Sequence, residues 1–454
     1  MHYNPEYISL INHASIFLEN QNKENILSDP WFEGEIFNKG WRLIYQNKEN
    51  DIKKILHKTK YIYLSHEHPD HFSVSFFRKY YKLLKKKNIK ILFQETSDKR
   101  LQNFLEKKFG LDFKILKDSF YSKQKDLNSK LTLFKNSYID SSLVYETRNY
   151  YHINFNDCNF EDEELVLIKK KLNNTSKKRI LYIQFSYAAY RSNKDWLKEA
   201  AKYKLNNIIQ IYKKLEIDLV IPFASFITFS NRENQNLNHF KNNCHKTSSF
   251  LLKHNVKHCF LNPLIQKVNI EKLISKNQYR SKINTLSVSF WDKRFKDNIK
   301  KFSPVDIKKI DEITINNFLD RIKTKNSIIL MRIIRFLTIK YLFGDCIIYL
   351  SDTRQTYKIN FYSISRIQNK NKASLHMKSE VLYFMLKEVY GVDTLIVNGR
   401  FKEMKSNAFQ KLILALGFTI INQSDYGINF RTLLNKFFIK KLSFALTKVL
   451  SKNS

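Results

Sequence analysis

The sequence predicts a layered α/β domain followed by a C-terminal α+β domain. Over about the first 260 residues, short apolar runs typical of strands alternate with stretches of helical periodicity, which favours stacked sheets and helices. We expect a first domain over 1–262, a weakly patterned connector over 263–306 that contains Phe302-Ser303-Pro304, and the C-terminal domain, of unknown role, over 307–454. A length of 454 residues suits about two to three folding units.

The elements of the first domain follow from their residue patterns. Branched and aromatic residues predict strands over 7–19, and a short apolar run then precedes Asp29-Pro30-Trp31. The apolar run Tyr61-Ile62-Tyr63-Leu64 predicts a buried strand that leads directly into a histidine-rich segment. Further strands are expected at 89–93, 142–147, 150–155, 180–185 and 218–223, and helices at 76–86, 193–216 and 243–254.

The C-terminal domain mixes both kinds of element. Strands are expected at 346–350, 357–361 and 394–397, and helices at 313–343, 378–390 and 403–416. The tail over 430–452 has apolar residues at helical spacing with lysines among them. Such a basic amphipathic helix can lie on an anionic membrane surface, although docking onto its own domain is the commoner arrangement.

The net charge and the cysteines indicate what the protein can bind and in which compartment it is expected. A formal net charge of +37 attracts nucleic acid, anionic lipid or phosphorylated substrates, although the scattered positions of the basic residues favour a compositional bias as its cause. The four cysteines form no Cys-x-x-Cys pair, which suits a reducing cytosol. The N-terminus resembles no secretory signal, and basic residues interrupt the longest apolar stretch, 327–344. We expect a cytoplasmic protein, at most peripheral at a membrane.

The segment HEHPDH at positions 66–71 carries the clearest chemical signal. Three imidazoles and two carboxylates lie within six positions, on the loop that follows an apolar strand. Imidazole suits metals such as zinc and iron, and mixed histidine and aspartate ligands can serve two adjacent ions. Two such ions lower the pKa of a shared water and polarise a carbonyl or phosphoryl oxygen. The alternative is a solvated histidine-rich turn, and the strand-then-loop context argues against it.

This segment resembles the HxHxDH signature of the metallo-β-lactamase superfamily and matches every specified position. The resemblance implies an αββα metallo-β-lactamase sandwich in which His66 and His68 hold one metal, while Asp70 and His71 hold the other. It also implies that Asp29, which looks like the family's earlier strand-end aspartate, orients the site loop. Asp70 is further expected to act on the proton of the nucleophile.

Three more segments are similar to one branch of that superfamily. They are INHAS at 11–15, NFNDC at 154–158 and IPFASF at 221–226. The branch includes N-acyl-phosphatidylethanolamine phospholipase D-like enzymes and the metal-binding part of CMP-N-acetylneuraminate hydroxylase, and the resemblance covers roughly residues 7 to 260. It implies that Asp157, at a strand end, bridges the two metals.

Two histidines of the family pattern have no obvious counterpart. Asp140 occupies the nearest strand-end position before Asp157, and as an oxygen ligand it would favour iron or manganese somewhat over zinc. His152 is the rival candidate for this ligand. Glu233 or His239 could replace the last histidine, although each is more often an ordinary loop residue.

We therefore expect a metal-dependent hydrolase that uses a metal-bridged water on a phosphodiester, ester or amide of an anionic small-molecule or lipid substrate. Its cofactors would be two divalent metal ions, zinc in the first place, with iron and manganese as alternatives. No GxSxG, P-loop or GxGxxG motif points to another mechanism. Arg400 could recognise a phosphate or carboxylate, but a structural salt bridge is the better expectation.

Two other hypotheses stay open. One is a diiron oxygenase of the same fold that acts on a sugar nucleotide or related substrate. It would need a separate electron donor, because no cysteine lies in the Cys-x-His and Cys-x-x-His pairs of a Rieske cluster. The other is a degenerate, non-catalytic basic module that binds nucleic acid or membrane.

Overall fold

The computed structural model describes residues 5–20, 22–120, 131–136, 140–173, 176–190, 194–423 and 426–431. Within these ranges, no helix is both long and apolar enough to cross a membrane. The basic amphipathic segment predicted over 430–452 lies almost wholly outside the described residues.

The first part of the chain contains every strand and helix predicted for it, with ends within two residues of those expected. Its strands are β1 (Tyr7–Asn12), β2 (Ser15–Glu19), β3 (Ile26–Ser28), β4 (Glu35–Ile36), β5 (Trp41–Leu43), β6 (Tyr61–Tyr63), β7 (Lys90–Gln94), β8 (Phe113–Leu116), β9 (Leu131–Asn136), β10 (Asp140–Glu146), β11 (Tyr150–Asn156), β12 (Lys178–Gln184), β13 (Leu219–Phe223) and β14 (Ile227–Phe229). Its helices are α1 (Glu49–Lys58), α2 (Val74–Lys86), α3 (Arg100–Phe109), α4 (Asp162–Lys171), α5 (Lys194–Lys214) and α6 (Cys244–Lys253).

Two sheets pack face to face at the centre of this part. One has the strand order β15-β1-β2-β3-β6-β7-β8, in which β15 is Val268–Asn269, and the other has the order β13-β12-β11-β10-β9. Side chains of both sheets share one core, including Leu92 of the first sheet and Ile153 of the second. On the other face of the first sheet, Ile62 and Ile91 pack against helices α1 to α3. Helices α4 to α6 cover the second sheet. The layer order is therefore αββα, as predicted.

The segment 263–306, which was predicted as a connector because its sequence pattern is weak, forms regular helices. It contains α7 (Ile270–Ser275) and α8 (Asn277–Asn298). Trp291 of α8 is fully buried in the first core, and its ring stacks on Phe226 at a centroid distance of 3.9 Å. The buried positions of α8 are few, which explains why the sequence shows so weak a helical stripe.

The C-terminal part is α+β, as predicted. Its sheet has the order β18-β17-β16-β19-β20. The strands are β16 (Cys346–Leu350), β17 (Gln355–Ile359), β18 (Ile364–Ile367), β19 (Leu375–Met377) and β20 (Lys402–Glu403). The helices are α9 (Glu312–Lys325), α10 (Ile328–Leu337), α11 (Ser379–Lys387), α12 (Gly391–Asn398), α13 (Ala408–Leu416) and α14 (Phe418–Asn422). The single helical region expected over 313–343 is two helices, because the Ser327 side chain caps a new helix by accepting from Leu330 N–H.

The strand predicted over 394–397 is wrong, since these residues belong to helix α12. Val392 and Leu395 are buried three residues apart, which is helical spacing, and Gly399 ends the helix with a φ of +58°. Packing against the first part of the chain outweighs the strand preference of a short branched run. Residues of both parts, such as Trp41 and Leu395, share a second core.

Candidate metal centre

The HEHPDH segment lies on the loop between β6 and α2. The loop begins directly after β6, an inner strand of the first sheet that ends at Tyr63. It therefore lies at the C-terminal end of that strand. The loop then turns back on itself, because the His68 carbonyl accepts from the N–H groups of His71 and Phe72. The Ser73 side chain caps α2 by accepting from Phe76 N–H. These local hydrogen bonds fix the backbone conformation of the loop.

A first group of candidate ligands consists of His66, His68 and Asp140. Their ligand atoms lie within 4.8 Å of one another. His66 Nε2 lies 2.8 Å from His68 Nδ1 and 3.7 Å from Asp140 Oδ1. Asp140 is the first residue of β10 in the opposite sheet. Asp140, which was predicted as a carboxylate ligand, thus lies beside His66 and His68.

A second group consists of His13, Asp70 and His71, again within 4.8 Å of one another. Asp70 Oδ2 lies 3.4 Å from His13 Nε2 and 3.2 Å from His71 Nε2. His13 is at the tip of the β1–β2 hairpin, where its carbonyl accepts from Ala224 N–H. His13 belongs to the INHAS segment, for which the resemblance implied no ligand role.

Asp157 lies between the two groups, directly after β11. Its Oδ2 is 3.9 Å from His66 Nε2 and 3.7 Å from His71 Nε2. The backbone turns sharply before it, since Asn156 has a φ of +43° and its side chain accepts from Asp157 N–H. One carboxylate therefore faces a histidine of each group, which is the position that a bridging ligand requires.

The donor set fits metal cations. Buried ligand atoms that have no hydrogen-bond partner among the described residues converge here, including His71 Nε2, Asp70 Oδ1 and Asp157 Oδ1. An unpaired buried polar atom costs free energy, which a bound cation would offset. Three carboxylates and four imidazoles make a mixed oxygen and nitrogen set that suits zinc, iron or manganese.

The electrostatics match this interpretation. Burial tends to raise the pKa of Asp70, but the charges of His71 and His13 outweigh it and hold that pKa well below its usual range. Burial tends to lower the pKa of His71, but the Asp70 and Asp157 carboxylates raise it well above the usual range. Burial lowers the pKa of His66. The carboxylates are thus ready as anionic ligands, while a cation would displace a proton from His71.

No family model matches the sequence, and no curated protein matches it. Several solved structures are similar to it at low identity. A possible metal-dependent hydrolase from Veillonella parvula is 13% identical with a TM-score of 0.41, over 60% of this chain and 100% of that one. The metallo-beta-lactamase fold protein YhfI from Bacillus subtilis is 8% identical with a TM-score of 0.37, over 57% and 98%. A variant of the CmlA beta-hydroxylase is 11% identical with a TM-score of 0.36, over 49% of this chain and less than half, 46%, of that one.

The layer order and the position of the motif together decide the fold. The αββα sandwich carries HEHPDH at the end of an inner strand, with Asp29, Asp140 and Asp157 at the same edge. The chain has a metallo-β-lactamase fold.

In this metallo-β-lactamase fold, Asp29 holds the site loop from behind. Its Oδ1 accepts from Ser65 N–H, and its Oδ2 lies 2.9 Å from both Ser65 Oγ and His71 Nδ1. Asp29 is fully buried and adopts a φ of +38°. A hydrogen bond from Nδ1–H to Asp29 leaves Nε2 of His71, which faces Asp70 and Asp157, as the nitrogen that can bind a cation once the cation has displaced its proton.

Replacing Asp29 by asparagine is expected to weaken metal binding by roughly 10- to 100-fold without removing a ligand, because the amide cannot fix the tautomer of His71 in the same way. Competition with a chromophoric chelator measures this change. Replacing the exposed carboxylate Glu33, which pairs with Lys79, by glutamine serves as the control and should leave the affinity unchanged. An Asp29→Asn protein with wild-type affinity would contradict the role assigned to Asp29.

The other candidates of the sequence analysis lie elsewhere. His152 Nδ1 is 2.7 Å from Tyr182 Oη, and its Nε2 is 3.6 Å from Glu6, so the structure does not bring it to the ligand groups. Glu233 lies 3.5 Å from Arg400, and His239 is exposed. Arg400 is buried and forms an ion pair with Glu380, which is the structural salt bridge that was expected.

A cavity of about 520 Å³ opens beside the ligands. His68, Asp70 and Asp157 reach its wall. The rest of the lining is mainly aromatic and apolar, with a lysine, a glutamate and two amides: Phe37, Trp41, Asn159, Gln184, Tyr187, Ala188, Ala189, Trp196, Glu199, Ala200, Tyr203, Lys204 and Val397. This volume suits a small molecule with a flat apolar portion.

Proposed function

We propose that the protein is a metal-dependent hydrolase with two divalent cations. His66, His68 and Asp140 would hold one cation, and a second group, His13, Asp70 and His71, would hold the other. The observation that carries this proposal is Asp157, whose Oδ2 faces a histidine of each group at 3.9 and 3.7 Å. Two ligand groups joined by one carboxylate form a dinuclear site.

Bound divalent cations would supply an acidified water and an electrophile for a phosphoryl or carbonyl oxygen. The chain's own residues position the reaction. Asp70 lines the cavity and stays ionised, because His71 and His13 hold its pKa well below its usual range against the effect of burial. Its Oδ1 is buried and makes no hydrogen bond within the described residues, which suits a cation ligand. We propose that Asp70 also acts on the proton of the nucleophile.

The cavity supports an anionic substrate with a ring or other flat apolar portion. Besides the ligand groups, the wall carries one lysine, Lys204, and one glutamate, Glu199, while Trp41 and Tyr187 offer aromatic faces and edges. We propose that Lys204 pairs with the anionic group of the substrate. We propose a phosphodiester, ester or amide of such a molecule as the substrate class. Aromatic walls would exclude water from the reacting bond on the side that faces away from the ligands.

A diiron oxygenase is the second candidate, and Asp140 favours it. An oxygen ligand in the first group makes the site harder than an all-histidine group, which shifts the preference toward iron or manganese. Such an enzyme would need an electron donor on a separate protein.

Metal analysis of the full-length protein as isolated tests the proposal. We expect about two ions per chain, as a dinuclear site requires, and turnover of bis-para-nitrophenyl phosphate by the zinc or manganese form. Iron that reacts with oxygen, without ester turnover, would support the oxygenase instead. A protein that binds no divalent cation but binds RNA or anionic vesicles with a steep salt dependence would overturn both enzymatic functions.

A further inference from the structure

His68 differs from the other histidines of the ligand groups in its surroundings. Its side chain is 30% exposed, whereas those of His66 and His71 are fully buried. It stands between the cavity beside the ligands and a second cavity of about 660 Å³ at the junction with the C-terminal part. The ring of His68 is therefore less enclosed than those of His66 and His71, and neighbouring polar groups can contribute to its orientation.

The two ring nitrogens of His68 have different neighbours. Nδ1 faces the ligand group, at 2.8 Å from His66 Nε2. Nε2 points away from it, and the carboxylate Oδ2 of Asp393 lies 3.7 Å from this nitrogen. Asp393 is on helix α12 of the C-terminal part, more than 300 positions away along the chain. A carboxylate on the outer nitrogen of a metal-binding histidine fixes both its tautomer and its ring orientation.

Several contacts hold helix α12 in this place. The Asn398 side chain donates to the Phe37 carbonyl at 3.1 Å, and Arg400 donates to the Asn38 carbonyl at 2.6 Å. The backbones approach closely, because a Cβ atom on Gly40 would lie 2.3 Å from the Asn398 Cβ. The position of Asp393 is thus set by packing between the two parts of the chain and not by its own ion pair.

The same helix shapes the wall of the first cavity. Val397 of α12 lines it together with Phe37, whose carbonyl accepts from Asn398. The Phe37 ring makes an edge contact with His68 at a centroid distance of 6.1 Å. Helix α12 therefore touches His68 through Asp393 on one side and supports the ring beside it on the other.

We propose that Asp393 is a positioning residue for His68, so that the C-terminal part completes the metal centre of the first part. The Asp393 carboxylate, 3.7 Å from Nε2, favours the proton on that nitrogen and thereby leaves the Nδ1 lone pair for the cation of the first ligand group. This proposal rests on the proposed metal site. It assigns the C-terminal part a function in cation binding that the sequence analysis left open.

Cobalt(II) titration of the full-length apo protein tests the proposal. In the Asp393→Asn variant, one of the two cobalt ions is expected to bind roughly 10- to 100-fold more weakly. The visible spectrum of that ion should change, while the other ion keeps its affinity. Asp393→Glu should restore most of the affinity, and Asp393→Gln, which has the same size as glutamate but no charge, should not.

Asp306→Asn is the matched control. Asp306 also joins the two parts of the chain, through an ion pair with Lys39 at 2.8 Å, but it touches no candidate ligand. If Asp393→Asn and Asp306→Asn have the same cobalt affinity and spectrum as the wild type, Asp393 is only an interface residue and the proposal fails. If the wild-type protein itself binds no cobalt, the proposed metal site fails first, so the two failures are distinguishable.

Discussion

Asp157→Asn is expected to leave at most one firmly bound cation and to lower hydrolytic turnover by roughly 10³-fold, since losing several kcal/mol of transition-state stabilisation has an effect of that size. Asp157 is the carboxylate that faces both ligand groups, through His66 and His71. Asparagine keeps the size of the side chain but removes the negative charge. Without that charge, two cations close together would repel each other more strongly.

Two measurements check this prediction. Metal analysis after dialysis gives the number of ions, and thermal denaturation with added zinc gives the stabilisation that binding supplies to the native state. Asp162→Asn is the control, because Asp162 is an exposed aspartate on α4 that pairs with Lys214 and lies outside both ligand groups. An Asp157→Asn protein with two ions and wild-type turnover would remove the bridging role and, with it, the main support for a dinuclear site.

The fold could be predicted from the sequence where the signal is local. Each strand and helix of the first part has its own local residue pattern. The HEHPDH ligands could be predicted together, because they lie on one loop with Asp70 and His71 next to each other. The local patterns of the strands and helices predict a layered α/β domain, whereas the order αββα was implied by the resemblance to the metallo-β-lactamase superfamily. Asp140 and Asp157 could also be predicted as candidates, since each lies at the end of a strand.

The rest of the centre depends on contacts between distant parts of the chain. His13 lies 57 positions before Asp70, at the tip of a hairpin, and its role depends on how that hairpin packs on Ala224. Asp393 reaches His68 from a helix that the sequence analysis took for a strand. Helix α8 was missed because few of its residues are buried. In all three cases tertiary packing, and not local preference, determines the outcome.

His13→Leu is expected to lose the second cation and to keep the first, with turnover lowered by roughly 10²- to 10³-fold, because a site with one cation keeps part of the electrostatic stabilisation. The side chain is buried, yet Nδ1 makes no hydrogen bond with any described residue, and Nε2 approaches Asp70 at 3.4 Å. Burial lowers the pKa of His13 and outweighs the Asp70 carboxylate, which tends to raise it. A buried Nδ1 without a partner destabilises the metal-free protein. A leucine in its place should therefore cost the apo protein little stability.

His152→Leu provides the opposite case within the same sandwich. His152 is also buried, but its Nδ1 lies 2.7 Å from Tyr182 Oη, so its loss leaves a buried hydroxyl without a partner and costs about 1–3 kcal/mol. We expect His152→Leu to lower the free energy of unfolding and to keep both cations, whereas His13→Leu should lose one cation and unfold like the wild-type apo protein. If both variants lose stability and neither loses metal, His13 is a structural histidine. The second ligand group would then lack its third member, because Asp70 and His71 alone cannot close a three-ligand site.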